Sequence, residues 1–296
     1  PAAPRARRDG NAVIEQLGRA RHDPYAWMKD DNWREVMRDT SRLRSDIRAY
    51  LEAENAHTHA SLEAPTAALQ DQLFEEMRGR IKENDSSVPA IDGPWAYYRR
   101  FREGGEYPLF ARRPSEHAFS GDDSLEQLLI DGDALAKGCD YFDIRKVSHS
   151  PDHRLLAYAV DDKGSEFYTT HIIDCATGAE VDAIRDSYGE FVWGEDSKSL
   201  FWVARDENAR PVSVFCRRLS SGADELIYRE ADPGFFIGVQ KSQSGRFIFV
   251  TANDHTTTEW RYLRTDSDDH ALTLIAEREA GVDYSVVDFD DRFWIR

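Results

Sequence analysis

Sulfur is scarce in this chain: its 296 residues include three cysteines and three methionines. The cysteines, Cys139, Cys175 and Cys216, are odd in number and widely spaced, with no CxxC pair. That excludes a zinc knuckle and supplies no disulfide framework. Such usage fits a reducing compartment, so a cytoplasmic protein is expected. Long apolar runs are missing too. No stretch approaches the roughly 20 residues that cross a bilayer, and no membrane partner is expected. The start, Pro1 to Arg8, is basic but no apolar segment follows it, so it reads as a flexible leader and not as an intact signal peptide. Positive charge is in deficit: 38 Lys and Arg face 55 Asp and Glu, for a formal net charge of −17. A surface of that sign repels phosphate backbones, which argues against nucleic acid. A cationic ligand or peptide would suit the field, although plain solubility accounts for the charge first.

Apolar residues make up 41% and aromatics 11%, ample for a packed core and against general disorder. Two textures divide the chain. From about Trp33 to Asn84 the spacing is helical. Trp33, Val36, Met37, Leu43, Ile47, Tyr50 and Leu51 recur at steps of three and four, which predicts one apolar stripe. A second helix is predicted after Pro65, with Leu69, Leu73, Phe74, Met77 and Ile81 as its buried stripe. Beyond Asn84, short runs such as Leu155–Val160, Leu200–Val203 and Phe247–Val250 alternate with Gly, Asp, Ser and Pro clusters. These are strand and turn signals. The expected division is a leader and helical lead-in over 1–84 and a β region over 85–296.

The β region repeats itself. A polar turn, a basic residue and an apolar strand recur at Arg154, Lys198, Arg246 and Arg292, at separations of 44, 48 and 46 residues. A period near 45 with about four strands per unit is the size of one propeller blade. A β-sandwich also brings strands at short intervals, but it has no reason to restart one signature at this period. Blades are expected to start near 88, 141, 189, 238 and 284. About four to five blades make an incomplete ring, because propellers close with roughly four to eight. An open blade edge with unpaired backbone would aggregate unless more chain, or another chain, covered it.

Other constellations read as ordinary structure. His57 and His59 form an H-x-H pair, but two helical residues that far apart point away from each other. Asp266, Asp268 and Asp269 lack the glycine and closing glutamate of a calcium loop. Asp288, Asp290 and Asp291 read as turn residues. Trp193, Trp202, Trp260 and Trp294 read as packing between blades. Asp161, Asp162 and Glu166 cluster in a loop after a strand; paired carboxylates there fit a rim or a contact between domains.

Several segments carry a family resemblance. Arg21-His22-Asp23-Pro24-Tyr25-Ala26-Trp27-Met28-Lys29-Asp30-Asp31-Asn32-Trp33 resembles the N-terminal signature of the prolyl oligopeptidase family of serine peptidases. Its Asp-Asn-Trp extension, with Val36-Met37 after it, is similar to the oligopeptidase B branch. Tyr50-Leu51-Glu52-Ala53-Glu54-Asn55, Gly79 to Asp85, Tyr97-Tyr98-Arg99-Arg100 with Gly105-Glu106-Tyr107-Pro108, and Ser150-Pro151-Asp152 come after it in the family's order. The resemblance implies a seven-bladed propeller capping an α/β-hydrolase domain, on which the helical lead-in packs. It implies cleavage of short peptides after Arg or Lys, by a serine nucleophile with a histidine base and with no metal or other cofactor. The family's G-x-S-x-G elbow occurs nowhere in this chain. No catalytic or substrate-binding residue is therefore assignable, and the expected partner is the protein's own hydrolase domain, lying beyond Arg296. The chain alone is expected to be inactive. Alternatives are a stand-alone propeller that binds proteins, and the matching region of a prolyl oligopeptidase proper.

Overall fold

The structure is a computed structural model that describes residues 2–10, 12–265, 267 and 269–296. It divides into two compact units, Pro1–Lys82 and Glu83–Arg296.

The first unit opens with a hairpin of β1 (Val13–Gln16) and β2 (Arg19–His22). Leu17 and Gly18 at its tip have φ of 52° and 70°, the left-handed geometry of a two-residue turn. Trp27 anchors the segment after the hairpin. Its indole donates to the Arg7 carbonyl (2.8 Å), the Arg7 guanidinium covers its face and Tyr50 meets its edge. Three helices come next: α1 (Trp33–Arg38), α2 (Ser45–Thr58) and α3 (Ala64–Arg78). The stripe expected from Trp33 to Leu51 is not one helix. Asp39 is extended, and its carboxylate accepts the Ser41 N–H, which ends α1 and starts a 3-10 turn. The second helix does begin around Pro65, which sits in the first turn of α3, but it is continuous with α2. A π-helical turn over His59–Glu63 runs from α2 into α3, and this wider turn accommodates the ring and missing N–H of Pro65. Because α2 and α3 lie end to end, they cannot pack on each other. Leu69, Leu73, Phe74, Met77 and Ile81, expected to be buried, are all exposed.

The second unit is a succession of antiparallel sheets. The first holds β3 (Ala90–Asp92), β4 (Trp95–Arg100), β5 (Leu109–Pro114) and β6 (Gln127–Asp131). A short helix, α4 (Gly132–Ala136), comes after it, capped by the Asp131 carboxylate on the Ala134 N–H. Then comes a seven-stranded meander: β7 (Asp143–His149), β8 (Leu155–Asp161), β9 (Tyr168–Asp174), β10 (Glu180–Trp193), β11 (Ser199–Arg205), β12 (Pro211–Arg218) and β13 (Ala223–Arg229). Strand β10 serves two blades. Its 180–187 half pairs β9 and its 187–193 half pairs β11, with the register shifting between. Asp186 and Gly189, at φ of 56° and 81°, make that bend. The next sheet is four-stranded, with β14 (Phe236–Lys241), β15 (Phe247–Asn253), β16 (Thr258–Arg264) and β17 (Thr273–Leu274). The last sheet pairs β18 (Val286–Phe289) with β19 (Arg292–Ile295).

The core distinguishes a propeller from a sandwich. Its apolar clusters lie at the seams between successive blades. Ile130, Leu156 and Tyr158 fill the first seam; Ala157, Phe191, Trp193 and Leu200 the second. Val192, Phe201, Val214, Ile237 and Ile248 fill the third; Phe249, Trp260 and Val286 the fourth. The innermost strands also share one concavity. Asp92, Lys146, Ser148, Phe191, Gln240 and Lys241 line a cavity of about 500 Å³. The sheets form an incomplete β-propeller, open between its first and last blades. Among the described residues, no helix is long and apolar enough to cross a membrane.

Candidate functional site

In an antiparallel meander, successive turns alternate between the two ends of a blade. One end carries the Ser150–Arg154 and Gly194–Lys198 turns of the repeat signature. They are tied across the seam by the Asp152 N–H on Ser197 Oγ (3.0 Å). The opposite end carries the 162–167 loop, the β10 bend, and the ends of β7, β9 and β11. The unusual chemistry sits there.

Asp161 organises the loop. It is buried, and its carboxylate accepts the N–H groups of Lys163 (3.0 Å), Gly164 (3.1 Å) and Glu166 (2.7 Å). Both oxygens are thus engaged by their own loop. Asp162 is exposed. Glu166 has φ of 58°, and its exposed carboxylate stands 3.7 Å from Arg205 Nη2.

Arg205 closes β11 and belongs to a stack of rings and guanidiniums. Its guanidinium lies 5.2 Å from the Phe167 centroid and 4.8 Å from that of Tyr188. Arg145 covers Tyr188 at 4.4 Å and Tyr168 at 5.4 Å. Delocalised guanidiniums suit such faces. The Arg205 side chain is only 2% exposed, and among the described residues its Nε and Nη2 are buried without a hydrogen-bond acceptor. Burial pulls its pKa below the usual guanidinium value, against the opposing pull of Glu166. The β10 bend is what permits the stack. A side chain on Gly189 would stand 2.7 Å from Arg145 Cδ and 3.0 Å from the Tyr168 ring.

Tyr168 donates to Asp143 Oδ2 (2.8 Å), and burial together with that carboxylate pushes its hydroxyl up to about 12. Burial and Glu230 likewise push Tyr228 up to about 12. An unfolded tyrosine titrates at about 10. The raised folded values contribute stability that is fully present below about pH 10 and is lost as pH rises toward about 12. Thermal melts near pH 8 and near pH 11.5 should show a marked fall in the midpoint at the higher value, with Tyr168→Phe removing part of it.

The remaining constellations separate. His59 bonds Glu63 and His57 approaches Ser61 Oγ, so the two histidines do not converge. Among the described residues no group of His, Cys, Asp and Glu is placed to hold a metal ion. Asp266 and Asp268 lie outside the described residues; Asp269 accepts the Ala271 N–H as a turn residue does. Asp290 and Asp291 occupy the hairpin tip with φ of 51° and 58°. Asp288, however, is not an exposed turn residue: it is buried and accepts from Ser244 Oγ. Trp193, Trp202 and Trp260 are buried, whereas Trp294 is exposed. Sequence reasoning missed Arg145, Tyr188 and Arg205. Arg205 follows an apolar run and reads as an ordinary solvated strand end, and no spacing signal links it to Arg145.

Comparison with known proteins places these features in a family. Residues 4–296 match the model described as prolyl oligopeptidase, N-terminal β-propeller domain. The chain is 34% identical to dipeptidyl aminopeptidase BI of Pseudoxanthomonas mexicana over 293 residues, and 33% identical to protease 2 of Moraxella lacunata over 282. Each match covers 94% of this chain and 39% of the relative, so the chain spans about two fifths of their length. Oligopeptidase B from Leishmania major superposes with a TM-score of 0.87 at 27% identity, covering 97% of this chain and 41% of that one. Oligopeptidase B from Trypanosoma brucei, with covalently bound antipain, gives 0.82 at 26%, covering 95% and 38%. The meander of blades, the seam-filling core and the match along nearly the whole length make this chain a member of the prolyl oligopeptidase family, the N-terminal helical segment and partial β-propeller of its oligopeptidase B branch.

Proposed function

We propose that this chain is the substrate-admitting portion of an oligopeptidase B-like serine endopeptidase that hydrolyses short peptides after Arg or Lys, and that it is inactive by itself. The observation that carries the reading is the match of residues 4–296 to the family's propeller domain, in a chain that has no G-x-S-x-G elbow. In the whole protein the propeller pairs with a C-terminal α/β-hydrolase domain, which supplies the serine and its histidine base. Two features support that pairing. The row of Leu69, Leu73 and Met77 on α3 is exposed at helical spacing, as a docking face requires. Asp162 and Glu166 are exposed on a loop whose shape Asp161 holds, which suits contacts between domains. The net charge of −17 favours approach of basic peptides.

The test compares the purified chain with the whole protein on an arginyl and a prolyl chromogenic peptide. The chain should show no turnover above buffer, and the whole protein should cleave the arginyl substrate. Turnover by the clean chain would refute its inactivity. Preference of the whole protein for the prolyl substrate would move it to prolyl oligopeptidase proper.

A further inference from the structure

We propose that the Arg145–Tyr188–Arg205 stack, roofed by Glu166, is a receptor for the α-carboxylate of a short peptide. The inference rests on the peptidase reading above and adds a binding site to it.

Two guanidiniums share the Tyr188 ring, yet among the described residues neither has a hydrogen-bonded counter-ion. The Glu166 carboxylate stands 3.7 Å from Arg205, and Glu190 stands 3.7 Å from Arg145. Nearby carboxylates are spoken for: Asp161 by three backbone N–H groups, Asp143 by the Tyr168 hydroxyl. A guanidinium as buried as Arg205 is costly to leave unpaired. Its planar fork of N–H donors matches a carboxylate. Glu166 is the internal stand-in, but an incomplete one. Its backbone is held left-handed at φ 58° and its side chain is 75% exposed. A carboxylate from outside can take the position that Glu166 approaches without filling.

The position favours a peptide as its source. Arg145 lies on β7 and Tyr188 on the β10 bend, both innermost in their blades, and Lys146 beside them lines the central cavity. A terminal carboxylate is the one anion every unblocked short peptide carries. A receptor for it beside the innermost strands therefore reads the presence of a chain end and not a sequence.

The test titrates this chain with acetyl-tetra-alanine as free acid, with the same peptide as C-terminal amide, and with sodium acetate. The readout is the arginine Nε–Hε resonances in NMR. The free acid should perturb the Arg205 resonance and bind about tenfold tighter than either the amide or acetate. Arg205→Gln should abolish the difference between acid and amide. Glu166→Gln removes the competing carboxylate and should tighten the acid roughly fivefold. Equal binding of acid and amide overturns the proposal. So does an acid that binds no better than acetate, which would leave the stack to an acidic side chain of the hydrolase domain. If Arg205→Gln fails to fold, the exposed Glu166→Gln decides, and an unchanged affinity there refutes the site. No turnover is measured, so failure of the peptidase reading shows separately, as a whole protein that does not cleave basic peptides.

Discussion

Replacing Phe201 with alanine should unfold the propeller unit under conditions where the parent chain is fully folded. Phe201 lies on β11, 2% exposed, in the seam between the third and fourth blades. Val192, Val203, Val214 and Cys216 pack around it from its own blade, and Ile237, Val239, Ile248, Val250 and Leu263 from the next. A propeller has no central core, so each seam is a separate core that joins two sheets. Truncating a buried phenylalanine costs about 3–5 kcal/mol, because the cavity collapses only in part. Whole domains are stable by about 5–15 kcal/mol. Urea unfolding followed by tryptophan fluorescence should show a large fall in midpoint. Leu226→Ala, at an exposed position on β13, should stay close to the parent. Equal effects at the two sites would mean that the seam does not carry the fold.

Glu259→Ala should destabilise the same pair of blades by a comparable amount and by different physics. Glu259 is 6% exposed on β16. Its Oε1 accepts from Arg261 Nη1 and lies 3.3 Å from Arg278 Nη2. Arg278 also donates to Glu230 Oε2 (2.7 Å) and stacks on Phe235 at 3.6 Å, while Arg261 covers Tyr228 at 4.5 Å. Two acids thus serve two guanidiniums between the third blade, the fourth blade and the segment after β17. Removing one partner from such a buried network costs about 3–5 kcal/mol, since it strands a desolvated charge. Removing Arg261 as well should cost less than the sum of the single changes. The contrast is Glu76→Ala in α3, which breaks an exposed pair with Arg80 and should cost no more than about 1 kcal/mol. A Glu259→Ala loss as small as that of Glu76→Ala would show the network to be inert.

The two units differ in how much of them was legible. The blades were readable because their signals are local. The turn residues around Arg154, Lys198, Arg246 and Arg292 and the apolar strand after each depend on backbone geometry a few residues long, and the regular spacing comes from stacking like units. The lead-in helices were harder. Periodicity cannot show that Asp39 stops a helix by capping the next turn, or that a π-helical turn carries the chain through Pro65. Nor does an apolar stripe state its partner: Leu69, Leu73 and Met77 have helical spacing whether or not anything covers them.

The candidate site shows the same limit at closer range. Asp161, Asp162 and Glu166 stood out as a carboxylate cluster, but one of them turns inward to bond its own loop. Arg145, Tyr188 and Arg205 had no motif at all. The residues alone determine the family, the strand-and-turn order and the blade period, because neighbours along the chain dictate turns, strands and helices. Which arginine ends buried, and against which ring, depends on a bend in one strand that brings three distant segments together, and no linear pattern records that distance.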